Sequence, residues 1–247
     1  MVPVLAGWWA GPVSRGRRVT LVAVVKLTLM NSAAADSPAE PAVPVAGLVL
    51  AAGAGSRYGT PKALVVDPSG EPWLVRAVLA LVNGGCDPVL VVLGAAGTEA
   101  EALLRTHADR FDRPDRLRVL HADRWADGLS ASVAAGLDGL GAMDDQVVAV
   151  AMVPVDVPDL TDRTVARLIG GSPGEVAAGT LRQAEFAGRP GHPVLIGREH
   201  WAPLRATLAG DTGARPYLVA HDVQLVPCDD LGTGVDVDTR PEQDRPV

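Results

Sequence analysis

Cysteine is nearly absent from this chain. Its two cysteines, Cys86 and Cys228, show no Cys-x-x-Cys spacing, so the sequence indicates neither a disulfide framework nor a zinc site. We expect both to be small buried side chains. An excess of positive charge is also missing, since the net charge is −7 and the isoelectric point is about 5.2. This composition argues against nucleic acid or an anionic membrane as a partner.

Long apolar runs are missing as well. The mostly apolar stretch 19–30 contains Lys26 and is too short to span a membrane. It follows a cluster of arginines and precedes an Ala/Pro-rich run, an order that imitates a signal peptide. We interpret residues 1–44 as a disordered or mis-started N-terminal extension, with Met30 as an alternative initiator. Residues 45–247 then form one domain, since 48% of the chain is hydrophobic and its length suffices for a full core.

The stretch VAGLVLAAGAGSRYGTPKAL, residues 45–64, carries the strongest signal. Residues 48–50 form a short apolar run of the kind found in a parallel strand buried on both faces. The glycines that follow let the backbone bend sharply and approach a ligand, so that main-chain N–H groups can point at phosphate oxygens. Arg57 and Lys62 add positive charge. A plain strand-to-helix turn is the alternative interpretation.

Two better-known glycine motifs do not fit this stretch. A P-loop needs Ser or Thr after its lysine, whereas Lys62 is followed by Ala63. A dinucleotide-binding fingerprint would place its third glycine at Tyr58, and no acidic residue ends an evident second strand about 20 residues further on. The motif therefore points to nucleotide chemistry of another type.

Strands and helices are predicted to alternate along the domain. The first predicted strand is at 48–50, the others at 87–94, 116–121, 146–155, 175–180 and 193–196, and the helices at 73–82, 98–106, 130–140, 198–208 and 213–220. This order predicts an α/β fold with a three-layer, Rossmann-like, doubly wound and mostly parallel sheet. Such sheets bind ligands at the carboxyl ends of their strands, where the glycine turn and Asp156 both fall.

Asp156 follows an apolar run, VVAVAMVPV, that predicts a central strand. A carboxylate at the exit of such a strand suits Mg²⁺, which often takes only one or two protein carboxylates and completes its shell with phosphates and water. A helix cap is the alternative role, although Thr161 or Asp159 could cap the helix that follows. We expect Asp156 to bind metal.

Five segments follow one another along the chain: LAAGAGSRYGTPKAL at 50–64, RWADGLSASVAAGL at 124–137, VPVDVP at 153–158, GRPGHPVL at 188–195, and GDTGARPYL with VDVDTRPE at 210–218 and 235–242. In these segments and in their order, the chain resembles the MobA-like nucleotidyltransferases. Within that family it is similar to the molybdenum cofactor cytidylyltransferase branch. The resemblance covers nearly everything after residue 45 and implies the fold of the nucleotide-diphospho-sugar transferases.

The resemblance implies roles for individual residues. Arg57 would hold the β- and γ-phosphates of a nucleoside triphosphate, and Lys62 would neutralise charge around the α-phosphate; both could instead be surface cations. Either Asp236 or Asp238 would be a second metal-facing acid, with Asp236 the first choice. Period-two alternation would place both on one face of an extended strand. Loop carboxylates are the alternative. The residues implied to bind the nucleotide are Ala51, Ala52, Gly53, Ala54, Gly55, Ser56, Gly59, Gly128, Ser130 and Ser132.

Two of the implied site residues also suit a structural role. Ser130 is a good helix N-cap, which is compatible with a contact to base or ribose. His192 lies between Gly191 and Pro193 in a predicted rigid loop that would expose its side chain, and a lone histidine is usually structural or at the surface. The resemblance places Gly191 and His192 on the acceptor side, and His192 would not be a general base because a phosphate nucleophile is already anionic at neutral pH.

The nucleotide preference follows from short differences within the family. Only Thr60 separates Gly59 from Pro61, whereas sugar-phosphate and methylerythritol-phosphate enzymes carry extra residues there. The guanylyl branch has Ala-Gly-Gly and Asp-Lys where this chain has residues 51–53, AAG, and 61–62, PK. The resemblance therefore implies transfer of CMP from CTP to molybdopterin with Mg²⁺, release of pyrophosphate, and a molybdoenzyme as a partner.

Several alternatives stay open from the sequence. Another nucleoside triphosphate or another phosphorylated acceptor, such as a sugar or polyol phosphate, would fit the same motifs. A nucleotide-binding maturation factor without turnover is a further alternative, although such a protein would not need Arg57, Lys62 and Asp156 together. We expect a cytoplasmic location, because an exported protein would lack the nucleotide pool.

Overall fold

The computed structural model describes residues 44–143, 146–170 and 176–240. Within them, the chain forms a seven-stranded sheet in the order β3-β2-β1-β4-β6-β5-β7. The strands are β1 (Val45–Ala51), β2 (Val89–Leu93), β3 (Leu117–His121), β4 (Ala149–Pro154), β5 (Leu181–Phe186), β6 (Arg189–Gly197) and β7 (Gln224–Pro227). Because β1 lies between parallel neighbours β2 and β4, the predicted doubly wound α/β fold is confirmed.

Helices cover both faces of the sheet. They are α1 (Trp73–Asn83), α2 (Gly97–Thr106), α3 (Leu129–Met143), α4 (Asp162–Ile169), α5 (Trp201–Thr207) and α6 (Arg215–Ala220). One buried cluster joins the sheet to α1, α2 and α4, and a second joins it to α3, α5 and α6. The two clusters are the two layers of core on either side of the sheet, which gives the predicted three-layer arrangement.

The central strands are apolar on both faces because helices cover both. In β1, Val49 belongs to the cluster with α1, whereas Leu48 belongs to the cluster with α3. All seven residues of β1 and all five of β2 are buried. This explains why uninterrupted apolar runs, rather than alternating patterns, predicted these strands correctly.

The second half of the chain departs from the predicted strands, since one of them is misplaced and β7 was not predicted. The strand predicted at 175–180 is wrong in its described part, since residues 176–180 form a turn and β5 begins at Leu181. The strand β6 runs antiparallel to both of its neighbours. Ala187 and Gly188 join β5 to β6 with φ angles of 49° and 73°, a two-residue turn of the type that reverses a chain into a hairpin.

The remaining predictions about organisation concern the ends of the chain and its surroundings. The predicted extension, residues 1–44, lies outside the described residues except for Pro44. No helix in the described ranges is both long and apolar enough to cross a bilayer. Cys86 and Cys228 are both free and buried, as predicted.

Candidate active site

The glycine turn follows β1 directly and lies at the carboxyl end of the central strands. Gly55 has a φ angle of 62°, and a Cβ atom built on it would lie 1.8 Å from the carbonyl oxygen of Thr60. The amide of Gly59 donates a hydrogen bond to the carbonyl oxygen of Gly55 at 2.8 Å. Only glycine fits at position 55, so this residue fixes the shape of the turn that leads to Lys62.

The turn leaves most of its backbone open to ligands. Gly53, Ala54, Ser56 and Gly59 are exposed, whereas Ala51 and Ala52 are buried at the end of the strand. The buried pair can offer a ligand only main-chain groups, and one of these is engaged, because the carbonyl oxygen of Ala52 accepts a hydrogen bond from the amide of Ala95. Of the predicted nucleotide-binding residues at this turn, Gly53, Ala54, Ser56 and Gly59 thus lie on one accessible loop, and the buried Ala51 and Ala52 precede it.

Lys62 lies between two carboxylates that are far from it in sequence. Its Nζ donates to Oδ2 of Asp156 at 2.5 Å and to Oδ1 of Asp238 at 3.0 Å. Arg57 Nη1 donates to the other oxygen of Asp238 at 3.3 Å. The structure therefore brings four of the predicted catalytic and metal residues into one charged cluster at the mouth of the glycine turn.

Electrostatics keep this cluster charged. Burial of Lys62 opposes its charge, but the hydrogen bonds and charges of Asp156 and Asp238 outweigh it and raise the pKa of Lys62. The hydrogen bond from Lys62, followed by the charges of Lys62 and Arg57, lowers the pKa of Asp238 below its usual value. Lys62 therefore keeps its positive charge and Asp238 its negative charge at neutral pH.

The remaining predicted residues of this region lie nearby. His192 is on β6 rather than in a loop, and its side chain is half-buried rather than exposed, because the hairpin continues the strand through the Gly-His-Pro element. Burial lowers the pKa of His192, against the opposing effect of the Asp156 and Asp236 charges. Asp236 is exposed and shares a segment with Asp238, but residues 232–238 are not a strand, so the predicted period-two alternation does not apply.

The start of α3 is arranged differently from the prediction. Since α3 begins at Leu129, Ser130 lies inside the first turn and is not the N-cap. The amide of Leu129 instead donates to Oδ1 of Asp211, and that of Ser130 donates to the carbonyl oxygen of Gly210. Gly128 has a φ angle of 110°, and a Cβ on it would lie 2.5 Å from Oδ1 of Asp211. The turn at 210–211 therefore caps this helix.

Two buried polar atoms in the site have no hydrogen-bond partner among the described residues. They are Oδ1 of Asp156 and Oγ of Ser130. Buried acceptors and hydroxyls without partners are rare in folded proteins and often face a ligand, an ion or a water molecule. An unpaired carboxylate oxygen fits a hard divalent cation, and an unpaired hydroxyl fits a contact to a nucleotide. Ser132 is also buried at this helix end.

The arrangement suits the joining of two anions. A cationic pair, Arg57 and Lys62, faces carboxylates that could hold a metal, next to a loop that offers backbone donors. Such groups lower the barrier when phosphates must approach each other. Sequence reasoning missed the contribution of Thr233 and considered Asp159 only as a helix cap. The hydrogen bond between Thr233 and Asp159 joins residues 74 positions apart, so no local sequence pattern indicates it.

Comparison with known proteins agrees with this fold. The family model of the MobA-like NTP transferase domain matches residues 47–225 of this chain. Nicotine blue oxidoreductase from Paenarthrobacter nicotinovorans is 35% identical over 201 residues, which cover 79% of this chain and 92% of that protein.

Solved structures show the same fold. The crystal structure of Rv0371c from Mycobacterium tuberculosis H37Rv has a TM-score of 0.61 and 23% identity, covering 79% of this chain and 94% of that one. The structure of Rv0371c has also been solved in complex with manganese. A nucleotidyl transferase from Methanothermobacter thermautotroptrophicus has a TM-score of 0.58 and 22% identity, covering 79% and 92%. This chain belongs to the MobA-like NTP transferase family and carries its nucleotidyltransferase domain.

Proposed function

We propose that this protein is a magnesium-dependent nucleotidyltransferase that transfers CMP from CTP to molybdopterin. The observation that carries the proposal is the cluster in which Lys62 contacts both Asp156 and Asp238 beside the glycine turn. The preference for CTP rests on the sequence features of the turn, Ala51-Ala52-Gly53 and Pro61-Lys62. The manganese complex of a protein with this fold supports a divalent cation.

The reaction would proceed by displacement at the α-phosphorus. An oxygen of the acceptor phosphate forms a bond to the α-phosphorus of CTP, and the bond from that phosphorus to the bridging oxygen of the β-phosphate breaks. Pyrophosphate leaves with the bonding electrons. In this scheme Arg57 binds the β- and γ-phosphates, and Lys62 stabilises the negative charge around the α-phosphate. Backbone amides of residues 53–59 orient the triphosphate.

The metal would be held by Asp156 and Asp238, with Asp236 as a further carboxylate on the same segment. No group of three or more His, Cys, Asp or Glu side chains in the described residues is arranged to hold a metal. Two carboxylates fit Mg²⁺, which commonly takes its other ligands from phosphates and water. When bound, the ion would neutralise charge on the triphosphate. Gly191 and His192 would lie on the side of the acceptor.

The direct test is pyrophosphate release from CTP, GTP, ATP and UTP with Mg²⁺, in the presence of freshly prepared molybdopterin. A panel of sugar and polyol phosphates forms the second arm. Release with CTP and molybdopterin alone supports the proposal. Release only with another nucleotide or acceptor keeps the transfer chemistry but rejects this substrate pair, and no release favours a nucleotide-binding factor that acts on a molybdoenzyme.

A matched pair of variants separates chemistry from folding. Asp156→Asn should lower pyrophosphate release about 10²–10³-fold, the loss typical when one electrostatic group of a transfer site is removed. Asp162→Asn is the control, since this exposed aspartate at the start of α4 accepts a hydrogen bond from the neighbouring Arg163 amide and is not a member of the charged cluster. Full activity of Asp156→Asn would exclude a catalytic metal at this carboxylate.

A second candidate function comes from the name of the 35% identical relative, nicotine blue oxidoreductase. Reduction of nicotine blue or a similar dye by NADH or NADPH would use a nucleotide bound at the same turn. The same preparation should therefore be assayed for oxidation of NADH and NADPH with and without the dye. Dye-dependent oxidation without pyrophosphate release would make the reductase the correct assignment.

A further inference from the structure

Residues 232–238 carry Asp236 and Asp238 but form neither a helix nor a strand. The position of Asp238 therefore depends on contacts between this acidic segment and the rest of the fold. One contact is a backbone hydrogen bond from the amide of Val237 to the carbonyl oxygen of Asp156, at 2.9 Å. It holds the segment at its far end, beside the charged cluster.

A second contact holds the start of the acidic segment. Oγ1 of Thr233 donates to Oδ2 of Asp159 at 2.6 Å, and the backbone amide of Thr233 donates to the same oxygen. Hydrogen bonds to an ionised acceptor are among the stronger ones in proteins. Gly232 lies close against the same aspartate, since a Cβ there would be 3.2 Å from its Oδ2.

A third contact is steric. Gly234 has a φ angle of 63°, and a Cβ on it would lie 2.2 Å from Cδ2 of Phe186. Gly191 meets the same ring from β6, where a Cβ would lie 2.9 Å from Cδ2. The ring of Phe186 thus lies against a glycine of the acidic segment and a glycine of the strand that carries His192.

Among the described residues, the hydrogen bonds that the Asp159 side chain accepts both come from Thr233. The side chain of Thr161, not of Asp159, caps α4 by accepting a hydrogen bond from the amide of Thr164, which confirms one of the two predicted caps. Asp159 follows Asp156 by three residues, so it connects the acidic segment to the loop that holds the first carboxylate. Its Oδ1 is buried and has no hydrogen-bond partner among the described residues.

We propose that Asp159 is a positioning residue, which holds Thr233 and thereby sets Asp238 against Lys62. Without this anchor, the start of the acidic segment is released, while Val237 still holds its far end and Arg57 still contacts Asp238. Asp238 then moves away from the ammonium group of Lys62. The effect of Asp159 on turnover rests on the proposed function. The effect of Asp159 on the Lys62–Asp238 contact does not rest on it, and can be measured without any substrate.

The test uses the scarcity of lysine. The chain has two lysines, Lys26 and Lys62, so labelling by an amine-reactive ester and mass spectrometry of the peptides reports on Lys62 by itself, with Lys26 as an internal reference. In Asp159→Ala we expect Lys62 to be labelled about tenfold faster than in the unmodified protein, because one of its two carboxylate partners is lost. The full chain is used throughout.

Two variants of Thr233 sharpen the result. Thr233→Val removes the hydroxyl donor at nearly constant volume and should accelerate labelling less than Asp159→Ala, since the backbone amide still donates. Thr233→Ser keeps the hydroxyl and should restore the original rate. Asp162→Asn controls for the loss of a nearby carboxylate and should leave the rate unchanged. Circular dichroism confirms that each variant is folded.

The outcomes separate this inference from the proposed function. Equal labelling of Lys62 in the unmodified protein, Asp159→Ala and Thr233→Val, with all three folded, overturns the positioning role. Faster labelling in both variants with rescue by Thr233→Ser supports it, even if no pyrophosphate release is found. If turnover is present, Asp159→Ala should lower kcat more than it raises KM for CTP.

Discussion

The ammonium group of Lys62 lies 2.5 Å from the carboxylate of Asp156, although the two residues are 94 positions apart in the chain. Both side chains are only 15% exposed. A pair shielded to this extent is costly to break on one side, because the remaining charge is left partly buried without its partner. Lys62 is therefore a structural counter-ion of the carboxylates as well as a candidate catalytic group.

We expect Lys62→Met to reduce activity and stability together. Pyrophosphate release should fall about 10²–10³-fold because a preorganised cation is lost, and the free energy of unfolding should fall by about 1–3 kcal/mol because charged acceptors lose their donor. Urea unfolding and the pyrophosphate assay measure the two effects. Arg205→Met is the control, since it breaks an exposed ion pair with Asp138 that should contribute about 1 kcal/mol or less. Unchanged activity of Lys62→Met would remove this lysine from the mechanism.

The two glycines Gly53 and Gly55 should respond differently to alanine. Gly55→Ala places a methyl group where the Thr60 carbonyl oxygen lies, at a positive φ angle, and should cost about 1–3 kcal/mol of stability. A Cβ on Gly53 meets no atom within 4 Å, so Gly53→Ala should preserve the unfolding midpoint. It should nevertheless weaken CTP binding, measured by calorimetric titration, if the backbone there approaches the phosphates. Equal unfolding midpoints for both variants would contradict the described turn.

A second glycine pair tests the packing of α3 on the sheet. A Cβ on Gly136 would lie 2.8 Å from Cδ1 of Leu48, whereas one on Gly141 meets nothing within 4 Å. Gly136→Ala should therefore destabilise the protein by about 1–3 kcal/mol through overpacking. Gly141→Ala should stabilise it by about 0.5–1 kcal/mol, because alanine favours the helix. Thermal unfolding of the two variants should show shifts of opposite sign, and shifts of the same sign would refute the close packing at position 136.

Acid should weaken the protein partly through Asp238. Lys62 lowers the pKa of this carboxyl in the folded state relative to its usual value of 3.8. The folded state thus binds the proton less readily than the unfolded chain, and the stabilisation, present above pH 3.8, is lost as the pH falls through the lower folded-state pKa. The gap between the urea midpoints of the unmodified protein and of Asp238→Asn should stay constant above pH 3.8 and close as the pH falls below it. Asp162→Asn is the matched control, and a gap for Asp238→Asn that stays constant below pH 3.8 as well would show that its charge plays no such part.

The sequence predicted the first half of the fold better than the second. Strands such as β1 and β2 are buried on both faces, so their apolar runs are unambiguous. The strand β5, by contrast, mixes polar and apolar residues along LRQAEF and was predicted too early in the chain. The hairpin that reverses β6 uses Ala187 at a positive φ angle, and alanine gives no warning of that conformation.

The site residues also fall into those that local motifs predict and those that only distant contacts place. Arg57, Lys62 and Asp156 could be predicted as site residues because each adjoins a recognisable strand and turn, and the structure brings them together with Asp238. The choice between Asp236 and Asp238 could not be made from alternation, because the acidic segment is irregular and its placement depends on Thr233 and Asp159. Likewise, Ser130 looked like a cap only because the turn at 210–211, which supplies the real acceptors, is some 80 positions away.

The contact between Lys62 and Asp238 spans 176 positions, and this separation has a consequence for biosynthesis. The glycine turn and its lysine leave the ribosome long before the second carboxylate is translated, so the site is completed last, after all seven strands. A cut by a protease between β7 and residue 232 would leave the sheet assembled while disconnecting the charge that completes the site. Under the proposed function, a cut there would abolish turnover while the sheet stays folded.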